Sequence, residues 1–224
     1  GTYPQPGEIS LSHNGILFLD ELTEFKRDTL EALRQPLENK CVSISRVNQS
    51  VTFPSSFLLV AALNPCPCGF LGDSRKSCSC SSQNINKYFS KISGPLLDRI
   101  DLQVHVQSMN YEEIEKSKAD EVSTDKLLAP VLNAVEAQVL RQGKMQHNAN
   151  LTPDLIEKHC ILTPKAKDLI KNVFDKLQMS MRGYHKLLKI SRTIADLDQS
   201  DEIDIKHIQE GLMYRSIDQK FERK

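Results

Sequence analysis

The chain has 224 residues, with 29 Lys+Arg against 29 Asp+Glu and a net charge of zero, so any contact with nucleic acid must rest on a local basic patch. Apolar residues at 39% and charged residues at 26% fit a globular chain and argue against disorder. The longest apolar run, Phe57 to Leu63, falls far short of the ~18 residues a membrane helix needs.

Two textures divide the sequence. Residues 1–110 are rich in strand-like runs and turn signals, and residues 111–224 are almost purely helical in pattern. Gly15 to Leu19 is a short, wholly apolar run ending in Asp20-Glu21, which suits a parallel strand covered on both faces. A helix is expected from Thr23 to about Asn39, with Phe25, Leu30, Leu33 and Leu37 as its buried stripe and Pro36 kinking or closing it near its end. Cys41 to Ser45 and Ser50 to Phe53 alternate apolar and polar residues about a turn at Arg46 to Gln49, a hairpin signal. Phe57 to Leu63 reads as a second buried strand ending at Asn64-Pro65. Ile100 to Val106 alternates and predicts a third strand.

Beyond Met109, residues 111–150 are expected to hold two helical stretches and a polar loop. Helices follow at about 153–160, 164–178, 181–198 and 204–216. Thr163-Pro164 reads as an N-cap before a proline at the first helical position, and Asp204 as the cap of the last helix. The fold class is therefore α/β: part of a parallel-sheet core over 1–110, a linker or helical insertion over 111–150, and an all-helical lid over 151–224.

Four short segments carry candidate chemistry. An acidic pair at the carboxyl edge of a buried parallel strand lies where open α/β sheets bind ligands. Asp20 there offers hard oxygen to a magnesium ion, and Glu21 a carboxylate able to polarise an attacking water; the alternative is a strand end with two solvated acids. Asn64 ends the other apolar strand on the same edge and either orients that water or begins a turn. Arg99, in Ser93 to Asp101, either completes a neighbouring subunit's phosphate site or pairs locally with Asp98 or Asp101. Arg182 opens a helix that also carries Lys186, Lys189 and Arg192. It either contacts a nucleotide phosphate or belongs to a solvated basic face. No G-x-x-x-x-G-K-[ST] phosphate loop occurs in these 224 residues.

Four of the six cysteines, Cys66, Cys68, Cys78 and Cys80, fall close together. Two Cys pairs on a short loop are able to supply the four thiolates of a tetrahedral zinc site. Each pair is C-x-C and not the wider C-x-x-C, which strains chelation by both members. Reduced thiols on a loose loop, or disulfides formed after purification, are the alternative.

Taken together and in order, these segments resemble the magnesium-chelatase-like AAA+ ATPases. Pro6 to Leu22 resembles that family's Walker B region, Leu59 to Gly69 its sensor-1 segment, and Ser93 to Asp101 its arginine-finger segment. Ser180 to Lys189 and Arg192 to Leu197 resemble its sensor-2 helix. The match is closest to a bacterial branch named for a competence protein. Met181 stands where the family pattern usually has a small residue. The resemblance implies an ATP- and magnesium-dependent ring motor, usually a hexamer of identical subunits. Its phosphate loop is expected upstream of Gly1, so the chain is expected to be the carboxyl-terminal part of an AAA+ module. By that resemblance Asp20 coordinates magnesium, Glu21 activates water, Asn64 is sensor 1, Arg99 reaches the adjacent subunit's nucleotide and Arg182 contacts the γ-phosphate region. The hairpin at Arg46 corresponds to an insertion that faces the pore in related ring motors; Arg46 and neighbouring polar groups there either track a nucleic-acid backbone, DNA being the expected substrate, or form a tip that only needs to be soluble. A chelatase-type motor acting on a protein partner, and a module that binds without turnover, are the competing functions. The absence of a leader or spanning segment sets the expected location as cytoplasmic, with no membrane partner.

Overall fold

The computed structural model describes residues 4–46, 49–73, 75–119, 123–143 and 146–215. The chain divides between Ile100 and Asp101 into two compact units, ten residues before the change in sequence texture.

The first unit opens with a short helix, α1 (Glu8–Leu11), and strand β1 (Ile16–Leu19). After a 3-10 turn over Leu22–Glu24 come α2 (Arg27–Ala32) and α3 (Arg34–Asn39), then the antiparallel hairpin of β2 (Cys41–Arg46) and β3 (Gln49–Pro54). Strand β4 (Leu58–Ala61) returns alongside β1, and α4 (Ser82–Phe89) and α5 (Gly94–Leu97) complete the unit. β1 and β4 pair in parallel, from Ile16↔Leu58 to Leu19↔Ala61. One face of the pair, Leu17, Leu19 and Ala61, packs on Leu22, Leu30, Leu33, Ile92 and Leu96. The opposite face is open: Ile16, Phe18 and Leu58 are 64%, 59% and 60% exposed. The expected cover on both faces is thus supplied on one face only by the described residues.

The single helix expected over residues 23–39 is two helices. Pro36 is the third residue of α3 and has no N–H to offer the Ala32 carbonyl, which its ring also crowds. The break therefore falls at Leu33, a turn before the proline and not after it. Phe25 lies in the extended link before α2, not on a helical stripe, and is exposed, whereas Leu30 and Leu33 are buried as expected. The third strand expected over Ile100 to Val106 does not form. Residues 101–110 have no regular structure, and Leu102, Val104 and Val106 are exposed. Alternation alone does not make a strand; a neighbour must accept and donate the ladder bonds. Within it the Gln103 N–H donates to the Tyr214 carbonyl, which is no strand partner.

The second unit is helical: α6 (Tyr111–Ala119), α7 (Thr124–Gln142), α8 (Pro153–His159), α9 (Pro164–Lys176), α10 (Met181–Leu197) and α11 (Ile205–Met213). Its core gathers Leu151, Ile156, Ile170, Leu187, Leu188, Ile203 and Ile208. Both expected caps are present. The Thr163 hydroxyl accepts from the Ala166 N–H. Asp204 and His207 form a reciprocal box in which His207 Nδ1 accepts from the Asp204 N–H at 2.9 Å. α7 packs against α10 and buries Ala134 and Gln138, so it is part of the helical unit.

At the centre of that unit sits an ion network. Asp196 is 2% exposed and accepts two parallel bonds from Arg141, at 2.6 and 2.7 Å, and one from Arg192 Nε at 3.1 Å. Asn148 Nδ2 donates to Asp196 at 2.7 Å, and Arg192 Nη1 donates to the Asp201 carbonyl at 2.6 Å. The solvated basic face weighed as one reading of this helix does not extend to Arg192, which is 1% exposed. Burial lowers its pKa from the ordinary value, and the facing Asp196 carboxylate opposes that shift.

Candidate nucleotide site

The edge of the β1–β4 pair brings three of the expected site residues together. The Ala62 N–H donates to the Leu19 carbonyl and the Leu22 N–H to the Ala62 carbonyl, both at 2.9 Å. These bonds carry the parallel register past the strand ends, so Asp20-Glu21 and Leu63-Asn64 leave the same edge side by side. Asp20, Glu21 and Asn64 are all exposed there. The chain turns sharply at Glu21, whose φ of 48° and ψ of 50° are left-handed. A non-glycine residue in that region is strained, and such strain gathers at functional sites. Asp20 Oδ1 accepts from the Glu21 N–H at 2.9 Å, which braces the turn. The donor set is two hard carboxylates beside a neutral amide, which fits a magnesium ion that keeps most of its waters.

Arg99 follows α5, whose N-cap Ser93 accepts from the Leu96 N–H. Its guanidinium is held within its own unit. Nη1 donates to the Pro95 carbonyl at 2.6 Å, and Nη2 forms an ion pair with Glu38 of α3. The local pairs expected with Asp98 or Asp101 are replaced by this longer-range partner, which no sequence spacing signals. Arg182 belongs to the other unit. It is exposed in the first turn of α10, where Ser180 caps the helix by accepting from the Gly183 N–H at 3.1 Å.

The expected hairpin forms, and its strands extend one pair further than expected, to Arg46↔Gln49. The Arg46 side chain and residues 47–48 lie outside the described residues. Below them, hydroxyl pairs Ser43–Thr52 and Ser45–Ser50, at 3.0 and 3.2 Å, line an exposed face of the hairpin.

The four clustered cysteines converge. All four sulfurs lie within 4.8 Å of one another. Cys66–Cys68 is 3.3 Å, and both Cys66–Cys78 and Cys68–Cys78 are 3.6 Å. All six cysteines are free thiols, and Cys66 is fully buried. The environment splits their acidity. Backbone N–H groups of Phe70 and Ser79 donate to the Cys68 sulfur and draw its pKa down to about 6. The Cys80 N–H acts the same way on Cys78, but burial and the adjoining thiols outweigh it and push Cys78 up to about 12. Burial also raises Cys80. The strain expected of the C-x-C spacing does not keep the pairs apart.

A parallel strand pair with an acidic turn at its carboxyl edge, followed by an all-helical unit, is the architecture of part of an AAA+ fold. Residues 1–114 match the family model of the magnesium chelatase subunit ChlI, and residues 121–215 match that of its C-terminal region. The chain belongs to this magnesium-chelatase-like AAA+ family, and within it to the ComM/YifB branch. It is 43% identical over 218 residues to the competence protein ComM of Haemophilus influenzae, covering 97% of this chain and 42% of the relative. It is 41% identical over 219 residues to YifB of Escherichia coli, with the same coverage. YifB of Salmonella typhimurium is 39% identical over 219 residues, again covering 97% of this chain and 42% of the relative. The chain thus spans less than half the length of these relatives. No helix among the described residues is long and apolar enough to cross a membrane.

Proposed function

We propose that the chain is part of a ring-forming motor that hydrolyses ATP and acts on DNA. The observation that carries this reading is the exposed Asp20-Glu21 turn, held in left-handed backbone beside Asn64 on one sheet edge. Asp20 would hold the magnesium ion, which when bound screens the charge of the nucleotide phosphates. Glu21 would take a proton from the attacking water, and Asn64 would orient that water without adding charge. Arg182, at the start of a capped helix, would meet the phosphate end of the nucleotide, where the helix dipole favours an anion. DNA is the substrate favoured by the relationship to a competence protein and by the hairpin. The exposed hydroxyl pairs Ser43–Thr52 and Ser45–Ser50 would offer a backbone-tracking surface without base specificity, with Arg46 as the candidate cation of the sequence. Stimulation of ATP turnover by DNA, measured on the complete protein across a salt series, tests the reading. A turnover rate indifferent to DNA at low salt would count against a DNA motor and favour a protein substrate.

Arg99 would act on the neighbouring subunit's nucleotide after exchanging Glu38 for phosphate oxygens. Removing a catalytic arginine finger typically costs ~10³–10⁵-fold in turnover. Arg99→Ala in the complete protein is therefore expected to lose turnover on that scale while each subunit still binds nucleotide. Mixing it with a Glu21→Gln protein is expected to restore part of the activity, since some interfaces then pair an intact Glu21 with an intact Arg99. Absence of recovery in rings shown to be mixed assigns Arg99 to its own subunit, as the Glu38 lock.

A further inference from the structure

We propose that Cys66, Cys68, Cys78 and Cys80 form a tetrahedral zinc site that ties the end of β4, next to Asn64, to the segment leading into α4. Zinc–sulfur bonds of ~2.3 Å in a tetrahedron place the sulfurs ~3.8 Å apart. The three separations among Cys66, Cys68 and Cys78, at 3.3 to 3.6 Å, and the 4.8 Å limit over all four are near that figure. The space suits a single ion and is too small for an iron–sulfur cluster, whose inorganic core keeps its thiolates farther apart. A disulfide needs sulfurs at ~2.05 Å, which none of these pairs approaches.

The backbone around the site is arranged for thiolate. The Cys80 N–H points at the Cys78 sulfur at 3.4 Å. Gly69, with φ of 81°, lets the chain fold back after Cys68, and its N–H bonds to the Cys66 carbonyl at 2.9 Å. Amide donors to ligand sulfurs are the outer shell that orients a metal site. The intervening loop has its own turn, in which Asp73 Oδ1 accepts from the N–H groups of Arg75 and Lys76 at 2.6 and 3.1 Å. Lys76 lies 4.1 Å over the Phe70 ring. Among the described residues of the loop none belongs to either buried core cluster, and Leu71 is 37% exposed, so a metal crosslink at its base is an element able to close it.

The test reads metal and thiols, not turnover, and so stands apart from the motor reading. Protein purified under reducing conditions without added metal is analysed by plasma mass spectrometry, then exchanged with Co(II). The expected result is about one zinc per chain and the absorption bands of tetrahedral cobalt–thiolate coordination. Four thiols should become reactive to a disulfide reagent only after chelation. Cys68→Ser and Cys80→Ser should each weaken Co(II) retention by at least ~100-fold, above the range for outer-shell changes. Should the serine variants misfold, hydrogen exchange on the unaltered protein gives a second reading: amides of residues 69–77 should exchange faster once the metal is chelated. Zinc-free protein that takes up no Co(II) and shows four thiols reactive from the start overturns the site. So do iron in place of zinc, a disulfide within either C-x-C pair, or serine variants that retain cobalt as tightly as the unaltered chain.

Discussion

On the proposed function, replacing Glu21 by glutamine in the complete protein is expected to leave ATP binding intact and to lower turnover by ~10²–10⁴-fold, the usual cost of losing a general base. The glutamine amide has nearly the shape of the carboxylate but cannot accept a proton. The turn that presents it should survive the change. Its brace is the bond from the residue 21 N–H to Asp20, and its register is fixed by Leu22 and Ala62, none of which involves the Glu21 side chain. Nucleotide binding by fluorescence and turnover by phosphate release separate the two effects. A variant that hydrolyses ATP at the unaltered rate would remove Glu21 from the role of base. One that loses binding as well would mean that the turn itself had failed.

The largest expected loss of stability lies in the helical unit. Asp196→Ala should cost the helical unit ~3–5 kcal/mol, because removing one partner of a buried charge network leaves the others unpaired. Arg192 would remain buried with its carbonyl contacts only, and Arg141 would lose both of its bonds to the carboxylate. Against a typical total of ~5–15 kcal/mol for a domain, this is enough to unfold much of it. Chemical denaturation followed by helical circular dichroism measures the change. A loss below ~1 kcal/mol would mean that water reaches the network and that the carboxylate adds little.

Elements defined by periodicity and by end signals are legible in the amino-acid sequence. β1 and β4 are apolar runs with acidic or Asn-Pro stops, and α8 to α11 begin within a residue of their expected starts at about 153, 164, 181 and 204. The break at Leu33 departs from the expected helix because a proline acts on the carbonyl four residues before it, so its damage falls upstream. The strand expected at Ile100 to Val106 fails because pairing is a property of two segments and alternation a property of one. At the candidate site, Asp20, Glu21 and Asn64 are readable as strand ends sharing an edge. The Arg99–Glu38 pair is not, since it joins residues far apart in sequence. Lys186 and Lys189 suggest a solvated setting for Arg192, although Asp196 one helical turn later is the available signal of its burial. The C-x-C spacing weighs less against chelation than its narrowness suggests, because the backbone turn at Gly69 lets both members of a pair converge.

The parallel pairing of β1 with β4 also bears on the order in which the chain acquires its structure. Everything from α2 through the hairpin lies between the two strands, so closing them requires a long loop to be ordered before any ladder bond repays it. The helices from α8 to α11 meet through short connections, and contacts near in sequence form faster. The helical unit is thus placed to form early and the strand pair late. The left-handed turn at Glu21 depends on the bond from Leu22 to Ala62 across that pair, so the acidic edge is among the last features a newly made chain completes.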